Sequence, residues 1–586
     1  MNVASVTRRH PRGRPARLRS APGPAVVNPA LAAAPIAVCQ HCPMPTFDRR
    51  AALGAARETV YDVVVVGAGM TGAGVALDAA ARGLRVALFD AGDIASGTSS
   101  KSSKMVHGGL RYLQQHDFRL VYEALRERQR LLENAPFLVR PLPFLIPLFG
   151  SNGVASSAVV RAYSSALRLY DMTGGWRIGQ RHRKISRAEA LAHLPTLTTD
   201  RLVAGFLYPD ARGDDARVAL TLARTAALDY GADVATYATA TGFTHDAAGR
   251  VRAVQVRDDL GGELIEVATR CVVNATGVWA DSLVAMAERV ESHLITPAKG
   301  VHLSVARHRL PADVAAVLSV PGDHRNVFVV PFEDAPYTFV GTTDTAYHGD
   351  LDDPRCTPED VAYLLGAVNA STASALTPAD VTGVWAGLRP LLAPKAGRHV
   401  SARTADLSRR HRVLDAGDGV VTVTGGKWTT YRQMAEDAVD ALRPYLGPLA
   451  RARTAHLTLH GTGAWRPSTP LETHLYRRYG QDSAAVLALI DADPSLGELA
   501  VPGQEYVRAE LVYAAREEMA TSLVDLLTRR TRAHLHDARA TRDAAASLAA
   551  LVAPTLGWDD AETSRQVAAY HDLVTRELTS AGLDPS

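Results

Sequence analysis

Residues 61–90 read YDVVVVGAGMTGAGVALDAAARGLRVALFD, and the order of their parts decides the fold. Four consecutive valines predict a strand buried on both faces, as in a parallel sheet. GAGMTG predicts a tight turn, AGVALDAAARG an amphipathic helix, and LRVALFD a second strand. In this G-x-G-x-x-G setting Gly67 makes the turn, Gly69 lets the backbone at Met70 and Thr71 approach a pyrophosphate, and Gly72 lets the helix pack closely on the strand. The diphosphate then sits at the helix N-terminus. Asp90 ends the second strand, where a carboxylate accepts hydrogen bonds from an adenosine ribose. The fold class is α/β with a dinucleotide site; NAD and FAD both satisfy the fingerprint.

The next stretch, GTSSKSSKMVHGGLRYL at 97–113, begins to separate the two. A simple NAD domain makes a short connection to its next helix, whereas here a long polar loop precedes the helical period of FRLVYEALRERQRLLENA. Thr98, Ser99, Ser100, Ser103 and Lys104, with the backbone at Gly108 and Gly109, offer donors to phosphates and to a polar ring edge. His107, Arg111 and Tyr112 add titratable and charged groups.

A chain of 586 residues, 47% hydrophobic and 21% charged, is a folded protein of more than one substructure. Six arginines and no acid lie in residues 1–43, which more than accounts for the net charge of +3, so no nucleic-acid partner is expected. The four cysteines, Cys39, Cys42, Cys271 and Cys356, are too scattered for a disulfide framework and point to a reducing, cytoplasmic compartment. Cys39 and Cys42 have no second pair or histidine cluster, so no metal site is expected. No segment reaches the roughly 18 apolar residues of a membrane span. Residues 1–58 imitate a signal peptide, but prolines interrupt the apolar run and Val38 precedes Cys39 where a lipoprotein needs a small residue. They are expected to be a disordered tail, or to lie upstream of a start near Met44.

The quoted segments, together with VVNATGVWAD, VGTTDT, GLRPLL and TGGKWTTYRQMAEDAV, resemble in order the signatures of FAD-dependent glycerol-3-phosphate dehydrogenases. The resemblance runs from about Tyr61 to Leu446, continues into a helical C-terminal region, and has no counterpart for the N-terminal tail. It implies a glutathione-reductase-type FAD domain interleaved with a β-rich substrate domain (59–450, the substrate part roughly 290–380) and an all-α cap at 451–586. It further implies oxidation of sn-glycerol 3-phosphate to dihydroxyacetone phosphate, with electrons passed from FAD to a quinone. Residues matching the family's substrate contacts are Arg111, Tyr112, Arg389, Arg403, Lys427 and His302. At Arg403 the match is weaker: Thr404 and Ala405 come before Asp406, where the family commonly has an acid at once.

The residues themselves bear on these implications. LTLHGTGAWRP lacks the third glycine and following acid of a second nucleotide site, and the sole C-x-x-C lies in the tail. Reduced flavin would therefore be reoxidised by O2, a quinone or a partner protein. CVVNATG ends a strand at Gly277, and VVTVTGGKWTTYRQMAEDAVDAL reads as strand, glycine turn and helix, bringing Gly426, Lys427, Thr429 and a helix N-terminus beside the cofactor. A substrate phosphate calls for Arg and Lys. Removing hydride from a secondary alcohol also requires something to take the hydroxyl proton. His107 is the candidate base or relay, with Arg389 lowering the cost of the alkoxide and Lys427 able to share that role; which group takes the proton stays open. Asp344 reads equally as a turn residue or a site residue.

The stretch SSAVVRAYSSALRLYDM places Val160, Tyr163, Leu167 and Tyr170 on one helix face, flanked by Arg161 and Arg168. Core packing is the commoner explanation of such a stripe, and peripheral contact with the inner face of the cell membrane the alternative. After residue 451 three helical segments follow, PLETHLYRRYG, EYVRAELVYAAREEMATSLVDLLTRRTRAHL and DDAETSRQVAAYHDLVTREL, read as a structural or homodimer-forming cap. A peroxide-forming glycerol-3-phosphate oxidase shares every motif. A flavin-dependent amino-acid or amine oxidase has a similar FAD fold without need of clustered cations, and a non-catalytic nucleotide-binding protein is a third reading.

Overall fold

The computed structural model describes residues 47–109, 117–150, 156–288, 293–323, 325–333, 335–393 and 410–586. Strand Val63–Val66 is buried along its whole length because it is flanked on both sides, pairing in parallel with Val86–Phe89 and with Val272–Asn274. The sheet continues in parallel to Asp233–Ala235 on one side and to Val420–Thr424 on the other, where Arg412–Asp415 closes it as an antiparallel edge. Helix Met70–Ala81 packs between this sheet and helix Tyr431–Asp440; a side chain at Gly74 would strike the Tyr431 ring. Elements from residue 63 to residue 440 therefore build one nucleotide-binding layer.

The second large sheet draws its strands from both sides of that layer's sequence. Val139–Phe149 pairs antiparallel with Leu202–Gly213, and Ile295–Ala306 pairs antiparallel with Val381–Leu392. A short parallel contact, Ala315 beside Phe144, joins the two halves. One face of this sheet carries Phe144, Ile146, Phe206 and Trp385 beneath helices Phe118–Asn134 and Ser157–Met172. Leu167 and Tyr170 are buried there, Val160 and Tyr163 pack at its margin, and Arg161 and Arg168 face outward, so the stripe expected at 157–172 is a core stripe. Among the described residues no helix is long and apolar enough to cross a membrane.

The other face of the sheet shares one hydrophobic core with the C-terminal helices: Val301, Leu303 and Val340 pack with Leu511, Leu548, Val552 and Tyr570. The segment 505–535 is not one helix. Helix Arg508–Glu517 ends before Met519, whose φ is +54°, and Ser522 caps a new turn by accepting the Asp525 N–H at 3.1 Å. The break lets Glu518 turn inward to a buried ion pair with Arg217 at 2.7 Å.

The segment expected to be a tail also differs. Residues 49–58 form a helix capped by Asp48, with Ala52, Leu53 and Ala56 buried against Ala235, Val254 and Ile265. Arg49 secures it by donating to the carbonyls of Thr236 at 2.7 Å and Tyr237 at 3.0 Å. The apolar spacing i, i+1, i+4 supports a helix here, hidden among the alanines and arginines that also mark the tail. Cys39 and Cys42 lie outside the described residues, and Cys271 and Cys356 are buried.

Candidate active site

The first strand ends at Gly67, where φ is +102°. The chain then reverses into helix Met70–Ala81, and a Cβ on Gly72 would lie 1.7 Å from the Gly67 carbonyl oxygen. Helix and strand touch backbone to backbone. Asp90 does not point free into the space beyond: its Oδ2 accepts the Ala68 N–H at 2.5 Å and its Oδ1 the Gly92 N–H at 2.8 Å. Burial pushes its carboxyl up to about 6, against the downward pull of those two bonds. Ser99 Oγ accepts the Met70 N–H at 2.8 Å, so the 97–109 loop folds back over the helix N-terminus.

A cavity of about 1090 Å³ opens above this turn, slightly larger than the roughly 300–1,000 Å³ usual for small-molecule sites. Gly67, Gly69, Met70, Thr71 and Asp90 line its wall on the six-stranded sheet, Thr98, Ser99 and Ser103 its loop wall, and Gly277 lies beside them. His302 and Arg389 line it from the second sheet, with His107, Gly109, Gly426, Lys427 and Thr429. Size, glycines Gly67 and Gly69 that keep the wall free of side chains, and a helix N-terminus all fit an FAD molecule.

Four expected cofactor residues are not on the cavity surface. Gly72 lies beneath it as the packing contact just described. Gly108 is packed under Tyr170, whose hydroxyl accepts its N–H at 3.1 Å. Ser100 and Lys104 turn away, because Lys104 Nζ is buried and donates to the Ser100 carbonyl and to Asp215 Oδ1, both at 3.1 Å. Burial lowers that amine to about 8. Arg111, Tyr112 and Arg403 lie outside the described residues.

Arg389 stands opposite Ala298 in the antiparallel pair. Its Nη1 donates to the Lys299 carbonyl at 3.2 Å, and its Nη2 donates to Thr342 Oγ1 and the Thr343 carbonyl, each at 3.1 Å. Asp344 Oδ1 lies 3.4 Å from Nη1, which places the residue left between turn and site on the cavity with the arginine. Gly300 makes the geometry available, since a Cβ there would sit 2.4 Å from the guanidinium.

His302 is buried, stacked on Trp385 at 4.9 Å and 6°, with Nε2 2.7 Å from Ser103 Oγ. Burial, reinforced by the charges of Lys104 and Arg389, holds it well below the usual histidine range, so it is neutral. Its ring occupies the place a side chain at Gly341 would take, 2.0 Å from the would-be Cβ. Gly300, Gly341 and Trp385 escaped the reading of the sequence; the only local signal was a glycine within each otherwise apolar strand.

Lys427 follows Gly425 and Gly426, both with positive φ, and precedes the turn Trp428–Thr430 into helix Tyr431–Asp440. The strand, glycine turn and helix expected at 420–440 are all present, with the turn on the cavity. One cavity thus joins a dinucleotide cradle to a wall of cations and histidines.

Known proteins resemble this chain over most of its length. Residues 62–432 match the family model for FAD dependent oxidoreductases, and residues 421–563 match the model for the C-terminal domain of alpha-glycerophosphate oxidase. Glycerol-3-phosphate dehydrogenase 2 of Mycobacterium bovis is 42% identical over 556 residues, covering 90% of this chain and 92% of the relative. The mitochondrial glycerol-3-phosphate dehydrogenase of Homo sapiens is 34% identical over 554 residues, covering 88% of this chain and 74% of its own. The crystal structure of the glycerol-3-phosphate dehydrogenase from Bacillus halodurans complexed with FAD superposes with a TM-score of 0.71 at 27% identity, covering 92% of this chain and 98% of that one. Cradle, cavity and these likenesses over nearly the whole chain agree: the protein belongs to the FAD-dependent glycerol-3-phosphate dehydrogenase family, and FAD is its cofactor.

Proposed function

We propose that this chain oxidises sn-glycerol 3-phosphate to dihydroxyacetone phosphate and passes the electrons to a quinone. The observation that carries the reading is that one cavity has the glycine turn on one wall and Arg389, His302, His107 and Lys427 on the others. FAD, when bound, supplies the hydride acceptor; the turn at Gly67–Thr71, Asp90, Thr98, Ser99, Ser103 and Gly277 would hold it.

The chain's own groups handle charge and proton. Arg389 is fixed by backbone and hydroxyl acceptors before substrate arrives, so its positive charge is already oriented and stabilises the alcohol oxygen as charge develops there. His302, held neutral, can hydrogen-bond the substrate without adding charge. His107, half-buried on the cavity surface, takes the hydroxyl proton, and Lys427 shares with Arg389 the stabilisation of the developing alkoxide. Arg111, Tyr112 and Arg403 complete the phosphate site in this reading.

One feature favours a quinone: although the apolar stripe of helix Ser157–Met172 is buried, Arg161 and Arg168 are exposed on it, as cations that an anionic membrane surface would attract. The match of residues 421–563 to an oxidase C-terminal domain favours O2 as a second reading. An anaerobic experiment separates them. Bleaching of the bound flavin by sn-glycerol 3-phosphate, reversed quickly by a quinone and slowly by air, supports the dehydrogenase. Fast reversal by air selects the oxidase, and no bleaching refutes both.

A further inference from the structure

Among the described residues none beyond Thr429 lines the cavity, yet arginines of the C-terminal region reach back towards the segments that wall it, Arg529 and Arg530 to Asp93 and Arg532 to Asp215. The link is Asp215, fully buried at the start of helix Asp215–Arg224. Its Oδ2 accepts the Ser102 N–H at 2.9 Å and its Oδ1 accepts from Lys104 Nζ at 3.1 Å. The same carboxylate accepts a hydrogen bond from the Arg532 guanidinium. Arg532 is itself buried, its Nε donating to Asp214 Oδ1 at 3.0 Å and its Nη1 to the Thr528 carbonyl at 2.9 Å.

Asp215 therefore grips both neighbours of Ser103. Lys104 has φ +52°, in the left-handed region that a lysine occupies only where its surroundings impose it. Between the two gripped residues, Ser103 turns its hydroxyl to His302 on the cavity wall. Arg532 matters to this grip by geometry as well as charge. Its planar fork spans Asp214 and Asp215 at once, a geometry the single ammonium of a lysine does not reproduce, and without it the buried Asp215 keeps Lys104 as its remaining cationic partner.

We propose that Arg532 is a positioning residue for the redox site: acting through Asp215, it holds residues 102–104 so that Ser103 keeps its hydroxyl on His302. The C-terminal helices thereby contribute to catalysis without touching cofactor or substrate. The inference rests on reading the cavity as the redox site, but its principal readout needs no turnover.

The test compares Arg532→Lys with Arg217→Lys in the FAD-loaded protein. Arg217 forms a second buried ion pair with the C-terminal helices, to Glu518 at 2.7 Å, and does not touch the loop. Hydrogen–deuterium exchange is followed in the peptide spanning 98–106, alongside turnover of sn-glycerol 3-phosphate with a dye as acceptor. In Arg532→Lys the Ser102 amide is expected to exchange at least about tenfold faster, with kcat lower by roughly 10- to 100-fold. Arg217→Lys leaves both near wild type. Combined with Ser103→Ala, Arg532→Lys adds little to the loss caused by Ser103→Ala alone, because both act through one hydroxyl.

Equal behaviour of the two arginine variants, or full additivity with Ser103→Ala, overturns the proposal. If Arg532→Lys does not fold, the wild-type protein decides. A clamped Ser102 amide exchanges only as slowly as the amides around Arg532, and faster exchange at Ser102 refutes the clamp. A wild type that oxidises no glycerol 3-phosphate would refute the proposed function while leaving the exchange result standing.

Discussion

Replacing Gly72 with alanine puts the close packing of helix on strand to a quantitative test. The added Cβ would lie 1.7 Å from the Gly67 oxygen and 3.2 Å from Ala275 Cβ. Real carbon–oxygen contacts stop near 3.0 Å, so the helix must retreat by about 1.3 Å. The obstructing atom is backbone, in a turn whose φ is +102°, and cannot swing aside as a side chain would. Overpacking of this kind costs about 1–3 kcal/mol. In the apoprotein the helix N-terminus relaxes away from the turn, and FAD binding must drive it back. The strain therefore appears as lost affinity, at about 3 kcal/mol a factor of roughly 150 in the dissociation constant. Titrating apoprotein with FAD and following flavin fluorescence measures it. Gly54→Ala is the control, since Gly54 lies in helix Arg49–Glu58 with nothing within 4 Å of a new Cβ. It should leave FAD binding unchanged and stabilise the chain by about 0.5–1 kcal/mol. A Gly72→Ala protein that binds FAD within twofold of wild type would refute the backbone-contact argument.

Two further outcomes are expected. Arg389→Lys keeps the charge but loses the fork that Lys299, Thr342 and Thr343 orient, so kcat/KM for glycerol 3-phosphate should fall on the order of 10²-fold with flavin stoichiometry unchanged, as steady-state kinetics and the visible spectrum will report. Asp90 has a carboxyl raised by burial to about 6; as pH falls through that value it takes up a proton and loses an acceptor, so FAD affinity should weaken between pH 7 and pH 5. The same titration on Asp90→Asn should show a flat profile over that window.

The nucleotide cradle was legible because each of its signals acts over a few residues. Four valines, a glycine turn, a helical period and an acid follow one another within residues 61–90, and steric rules at Gly67 and Gly72 connect them without reference to the rest of the chain. Strand, turn and helix at 420–440 were legible for the same reason. The 97–109 loop was legible only as a chemical type. Its hydroxyls and cations suit a cofactor, but Ser99 and Ser103 face the cavity while Ser100 and Lys104 turn from it. What sorts them is Asp215, 111 residues from Lys104, and no periodicity marks that pairing. The same holds at 505–535, where a helical pattern runs through Glu518 although the helix ends at Glu517 and Glu518 turns to Arg217, 301 residues away.

Hydrogen bonding between near neighbours, turn sterics and apolar period are properties of short segments, and for this protein they settle the fold class and the cofactor cradle. Side-chain orientation depends on what lies across a sheet or an interface. Gly300 opens room for Arg389, Gly341 for His302, and Arg532 braces Asp215 from 317 residues away. Each contact joins segments whose separation along the chain carries no repeat, so only the packed chain, in which every buried charge must find its partner, decides them.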